Sequence, residues 1–175
     1  MTTMKTGRPD AAEHAPYYGK YVALVPDGDL IGLLQTQNAE TLRLLRAAPA
    51  EKADYAYAPG KWTVKEVIGH LIDAERIFAY RALRFARGDA TDLPGFDENA
   101  YVPNGGFARR TLADLLAEFE TVRASTIHFA KHLDDEALSR RGSANGTGVS
   151  VRAMLYIVSG HERHHVALLR DRYGV

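Results

Sequence analysis

Apolar residues recur with a helical period in four separate stretches of this chain, and no stretch alternates apolar and polar residues as a strand would. Amphipathic helices bury their apolar stripes against one another, so the expected architecture is all-α, a four-helix bundle. The first helix should begin near Asp27 or Asp29 and end near Ala48, where Pro49 stops it. Leu30, Leu33, Leu34, Leu44 and Leu45 form its stripe, which Gln37 and Thr41 interrupt. Thr63 and Glu66, in capping-box spacing after Pro59-Gly60, open a second helix that runs to about Arg87. Thr111 and Asp114 start the third, with Leu112, Leu115, Leu116, Phe119 and Val122 on one face, and it ends near Leu133. The fourth spans about Ser150 to Tyr173.

The connections are less regular. Residues 1 to about 15 show no period and read as a mobile leader, which leaves 16–175 as a single domain. Tyr17, Tyr18 and Tyr21, ahead of Pro26, suggest a strap packed on the bundle. Pro94, Gly95, Pro103, Gly105 and Gly106 make regular structure unexpected from Asp89 to Arg110, a connection long enough to cross the bundle and of the kind that lines functional sites. Between Asp134 and Ser150 a short helix (Asp135 to Leu138) and a glycine-containing turn (Asn145 to Gly148) are expected.

Composition removes several function classes. The 22 Lys and Arg balance the 22 Asp and Glu, so there is no basic field for a phosphate backbone and no nucleic-acid partner is expected. Apolar runs such as Ala153 to Val158 are too short to span a membrane, and Met1 to Asp10 lacks the apolar stretch of a signal peptide, so a cytoplasmic location is the default. Cysteine is absent, which leaves His, Asp and Glu for metal chemistry; any reacting thiol must arrive with a small molecule.

Seven histidines remain, at 14, 70, 128, 132, 161, 164 and 165, and two pairs have i, i+4 spacing. Such rings diverge by about 40° and lie about 6 Å apart along the axis. Measured against the apolar direction of the fourth helix, His165 lies roughly 20° away and His161 roughly 60°, while His164 falls roughly 115° off. His128 and His132 point opposite to the apolar face of the third helix and read as solvated. An inward pair of imidazoles requires hydrogen-bond partners or a metal, and both readings stay open on spacing alone. A third ligand would come from another helix. His70 is the only other histidine in a bundle-facing segment, but it sits roughly 120° from the apolar mean of the second helix.

The segment from Gly60 to Glu75, GKWTVKEVIGHLIDAE, followed some ninety residues later by Gly160-His-Glu-Arg-His-His165, resembles the DinB/YfiT family, in order from about Tyr17 to Tyr173. In that family a four-helix bundle carries one histidine on its second helix and an H-x-x-x-H pair on its fourth. The resemblance therefore implies one divalent metal ion, zinc or nickel, held by His70, His161 and His165. It also implies chemistry on a small molecule: transfer of a low-molecular-weight thiol, with metal-dependent hydrolysis or a non-enzymatic metal-binding bundle as alternatives, and pairing into a homodimer.

Glu66, Asp73 and Glu162 lie near these histidines in sequence and could orient an imidazole, although surface charge is the plainer reading. Gln37, Thr41 and Tyr80 are candidates to line the pocket; Phe96, Asp97 and Tyr101 are candidates to close it.

Overall fold

The structure is a computed structural model that describes residues 7–175. A short helix α1 (Gly19–Val22) precedes α2 (Leu30–Arg46), whose N-cap Asp29 accepts from the amides of Ile31 and Gly32. α3 (Val64–Ala86) begins with the expected Thr63–Glu66 capping box. α4 (Glu98–Asn104) is capped by Asp97, α5 (Leu112–Ala130) by Thr111, and α6 (Asp135–Ser139) by Asp134. Strands β1 (Arg141–Ala144) and β2 (Thr147–Ser150) lead into α7 (Val151–Leu168), capped by Ser150 and continued by a π-helical turn from Leu169 to Tyr173. Each such cap satisfies amide donors that the first helical turn leaves without partners, worth about 1 kcal/mol.

The four long helices α2, α3, α5 and α7 form the bundle. α3 packs between α5 and α7, and α2 closes the ring between the same two helices. Sequence neighbours α2 and α3 are thus diagonal, as are α5 and α7. The chain crosses the bundle between α2 and α3 and again between α5 and α7. The long connection after α3, although long enough to cross, joins two adjacent helices. Among the described residues no helix is long and apolar enough to cross a membrane.

Two expectations about the connections are corrected. The segment 89–110 is not irregular throughout: it contains α4, with Pro103 tolerated near its C-terminal end, and a single 3₁₀ turn at Phe107–Arg109. The glycine-containing turn is the tip of an antiparallel hairpin, pairing Arg141 with Ser150 and Ala144 with Thr147. Asn145 and Gly146 both have positive φ, 54° and 68°, the backbone that a two-residue hairpin turn requires.

The N-terminal segment adds contacts of its own. Residues 1–6 lie outside the described residues, but from Arg8 to His14 the chain is fastened down. Arg8 donates to the carbonyls of Val22 and Val25 at 2.8 and 2.6 Å. Glu13, 7% exposed, accepts from Arg152 at 2.6 and 2.9 Å and from the Ser150 hydroxyl at 2.6 Å. Burial alone would raise its pKa, but these donors prevail and bring it down to about 2.

A polar layer divides the interior. One apolar cluster holds Leu30 and Leu34 of α2, Phe78 and Phe85 of α3, and Met154 to Val158 of α7. A second holds Leu42, Leu45, Ile68, Leu115, Phe119 and Leu169. Between them Arg123 of α5, fully buried, makes a two-pronged bond to Glu75 of α3 (2.8 and 2.9 Å) and an ion pair with Glu162 of α7 at 2.7 Å. α2 joins through Thr41, which donates to Glu162 at 2.6 Å, and Gln37, which donates to Glu162 at 2.5 Å and to the Ser159 carbonyl at 3.0 Å. Burial pushes the Arg123 pKa down, but Glu162 and Glu75 more than offset it, so the net shift is upward and the guanidinium stays charged.

Removing this cation would strand two carboxylates in the core. Arg123→Met should therefore destabilise the protein by about 3–5 kcal/mol, read as the loss in urea-unfolding free energy. The E75Q/R123M/E162Q protein, with no charge left in the layer, should recover a large part of that loss.

Candidate metal centre

α3 and α7 pack face to face, and their contact carries the three histidines. His161 and His165 stand one turn apart on α7, with ring centroids 4.6 Å apart; each lies 4.9 Å from the ring of His70. The Nε2 atoms of His70 and His161 are 3.0 Å apart, and one nitrogen from each of the three rings falls within 4.8 Å of the others. Four-coordinate zinc with bonds of about 2.0–2.1 Å holds its ligand nitrogens about 3.4 Å apart, so side-chain adjustment at these positions suffices to enclose an ion. The donor set fits. His165 Nδ1 is buried without a hydrogen-bond partner, which marks an unsatisfied imidazole at the cluster.

Burial sets the charge state of these rings. It lowers the pKa of His70 to about 4 and that of His165 to about 3; the latter also feels His70. His161 is shifted far down, first by burial and then by the neighbouring imidazoles. All three are neutral near pH 7, the state in which a ring nitrogen can donate its lone pair to a metal.

His70 faces inward because α3 is buried on nearly every side along its first half, from Val64 to Glu75. No single polar direction exists there against which a helical wheel could be calibrated. His164 is exposed at the pocket edge, and His128 and His132 are exposed on α5 and beyond it.

Above the histidines opens a pocket of about 590 Å³. Its walls come from outside the bundle: the tyrosine strap, Trp62, Phe96 on the connection after α3, and the hairpin tip at Ala144, Asn145 and Thr147. Trp62 stands 5.0 Å from the His70 ring, and Tyr21 is edge-on to His161 at 5.3 Å. The strap therefore does more than pack. Its approach depends on Gly160, where an added Cβ would lie 2.0 Å from the Tyr21 carbonyl oxygen.

Several candidate residues have other duties. Glu66 is engaged by the Thr63 cap, and Asp73 is half-buried on the side of Arg76 and Glu118. Glu162, adjacent to His161 but about 100° further round the helix, turns into the polar layer and is not surface charge. None of the three hydrogen-bonds a histidine ring among the described residues. Gln37 and Thr41 hold Glu162 and do not line the pocket. Tyr80 is 51% exposed and accepts from Arg84 outside it. Of the closing residues, Phe96 lines the pocket, Tyr101 stacks behind Phe96 at 5.5 Å, and Asp97 is the cap of α4. Sequence reasoning missed Arg81, Lys20 and Glu98 in the lining, and the pair Glu75–Arg123 beneath it. An arginine within an otherwise apolar helical face was the available signal for Arg81 and Arg123.

Fold and site together define a class: a helical bundle whose side pocket ends on three convergent, neutral histidines. The chain belongs to the DinB superfamily, which its sequence matches over residues 33–169. Among solved structures it is similar to YfiT from Bacillus subtilis, a probable metal-dependent hydrolase with an unusual four-helix bundle topology. That likeness has a TM-score of 0.71 and 20% identity and covers 83% of this chain and 86% of the other. The mycothiol-dependent maleylpyruvate isomerase is similar at TM-score 0.66 and 16% identity, over 82% of this chain and 60% of that one. A DinB-like protein of Bacillus subtilis, YjoA, follows at TM-score 0.60 and 20% identity, over 84% and 90%. At these identities the likeness concerns the fold. No curated protein is significantly similar to the chain.

Two outcomes follow from the geometry. Because folded histidine pKa values near 3 and 4 lie below the unfolded value of 6.5, the unfolded chain binds more protons as pH falls. Stability of the metal-free protein should be full above pH 6.5 and decline from there toward pH 4, more steeply than the ~1.4 kcal/mol per pH unit of a single group. Urea midpoints in a chelator across that range, with H165A giving a shallower slope, check this. Gly160→Ala should displace α1 and cost about 1–3 kcal/mol of unfolding free energy.

Proposed function

We propose that the protein binds one divalent ion, zinc or nickel, through His70, His161 and His165, and that it is a metal-dependent transferase joining a low-molecular-weight thiol to a small molecule. The observation that carries this reading is the position of three neutral, buried imidazoles at the floor of an open pocket. A structural metal site would be closed by a fourth protein ligand, whereas three histidines leave room for a substrate atom. Among the described residues no cysteine, aspartate or glutamate joins the group. An ion bound there supplies Lewis acidity, lowering the pKa of a thiol or water that reaches it.

The chain's own residues do the rest. Tyr21, Trp62 and Phe78 surround the imidazoles with rings that limit water access and fix the ring planes. Because the chain contains no cysteine, a reacting sulfur enters as a co-substrate, and the pocket volume suits one small molecule with such a partner. Hydrolysis is the second reading, supported by the likeness to YfiT. In that case water takes the place of the thiol.

Untagged protein should contain about one ion per chain by elemental analysis, falling at least tenfold in H161A and H165A while their helical circular dichroism is kept. Unchanged metal content in those variants would sink the ligand assignment. Metal-loaded protein mixed with a chloro-aromatic electrophile and a panel of low-molecular-weight thiols should join the thiol sulfur to the ring carbon, with release of chloride and a proton, at least tenfold faster than the chelated protein does. Turnover of test esters or amides without thiol would instead favour hydrolysis.

A further inference from the structure

Three cationic side chains are buried in the described structure: Lys65, Arg81 and Arg123. Two have their counter-charge. Lys65 pairs with Asp54 at 2.6 Å, and Arg123 with Glu75 and Glu162. Arg81 is 4% exposed, and no carboxylate among the described residues comes within the 4.0 Å of an ion pair. One of its Nη atoms donates to the Pro94 carbonyl at 2.7 Å, and its guanidinium carbon lies 5.8 Å from the Phe96 ring centroid. Arg81 lines the wall of the histidine pocket. A buried cation without a counter-ion is costly, and an arginine that faces a cavity in this state is built to receive an anion.

The surrounding charges set the kind of anion. Among the described residues Lys20 is the other pocket cation with no carboxylate partner, riding over the Tyr17 ring at 4.1 Å, and Glu98 is the one carboxylate in the lining. Away from the histidine floor, two cations against one carboxylate leave a single positive charge on the walls, matched there by one carboxylate group. A guanidinium fork suits a carboxylate in two-pronged geometry. Placement sets the length. Arg81 follows His70 by eleven residues on α3, which returns it to within about 20° of the same face and about 16 Å further along the axis. Phe78 lies between them on the wall.

We propose that Arg81 receives the carboxylate of an elongated, partly apolar acid whose other end lies at the three histidines. This rests on the reading of those histidines as the reacting end, but Arg81 itself needs no metal to bind an anion. 4-Phenylbutyrate and its amide serve as probes, titrated calorimetrically into the protein with metal and after chelation, with metal content measured on the same samples.

The acid should bind at least tenfold tighter than the amide in both states. In R81Q the ratio should fall to within twofold, and in R81K, which keeps the charge but loses the fork, to an intermediate value. Equal binding of acid and amide by the wild type, a preference that vanishes on chelation, or an unchanged ratio in R81Q overturns the proposal. Should R81Q fail to fold, R81K decides: a ratio equal to wild type overturns it, and a several-fold fall supports it. An acid preference in protein that holds no metal as purified and takes up none when zinc or nickel is added would leave the Arg81 site standing and defeat the metal reading instead.

Discussion

The ion pairs of Arg123 with Glu75 and Glu162 hold this bundle in register. A charge that is completely buried must find its partners in one arrangement or lose several kcal/mol, so the layer admits few alternatives in how the helices slide or rotate. With Gln37 and Thr41 included, all four long helices contribute to it. Two apolar clusters, each able to pack in several ways on hydrophobicity alone, are thereby given a fixed relation.

The rotation of α7 is where this fixing reaches the site. Glu162 must point at Arg123, and the next ring along the helix, His161, then points toward α3, with His165 one turn further on. Neighbouring residues on one helix serve the frame and the pocket at once. The apolar halves and the histidine cluster are consequences of one rotational setting, which explains how three imidazoles stay gathered although only one hydrogen bond links them.

Much of this was legible in the sequence, because helix stripes and caps are local. Asp29, Thr63, Thr111 and Ser150 all cap where the residue pattern places them, and the four long helices match the expected spans to within a few residues. The hairpin escaped because its strands, Arg141–Ala144 and Thr147–Ser150, are four residues each and glycine-bearing, too short and small to alternate visibly; Asn145-Gly146 was the usable signal. Bundle topology and the partners of Glu162 depend on which helices become neighbours, a non-local outcome. Reading Gln37 and Thr41 as pocket residues recognised polar groups on an apolar stripe but could not say which cavity or partner they served. His70 needed the family resemblance, since the first half of its helix, buried on nearly every side, has no wheel to read.

The pocket is assembled from parts of unequal rigidity. Its floor belongs to α3 and α7, two long helices locked by the core, while its walls are the tyrosine strap, the α4 connection and a two-residue hairpin tip. Residues such as Asn145 at the hairpin tip and Phe96 on the connection can be exchanged with the long helices that carry the three imidazoles still in place. A lineage built on this scaffold can therefore reshape the pocket by small edits at the rim while inheriting the same floor of three histidines, so variation of the opening and constancy of its base come from physically separate stretches of chain.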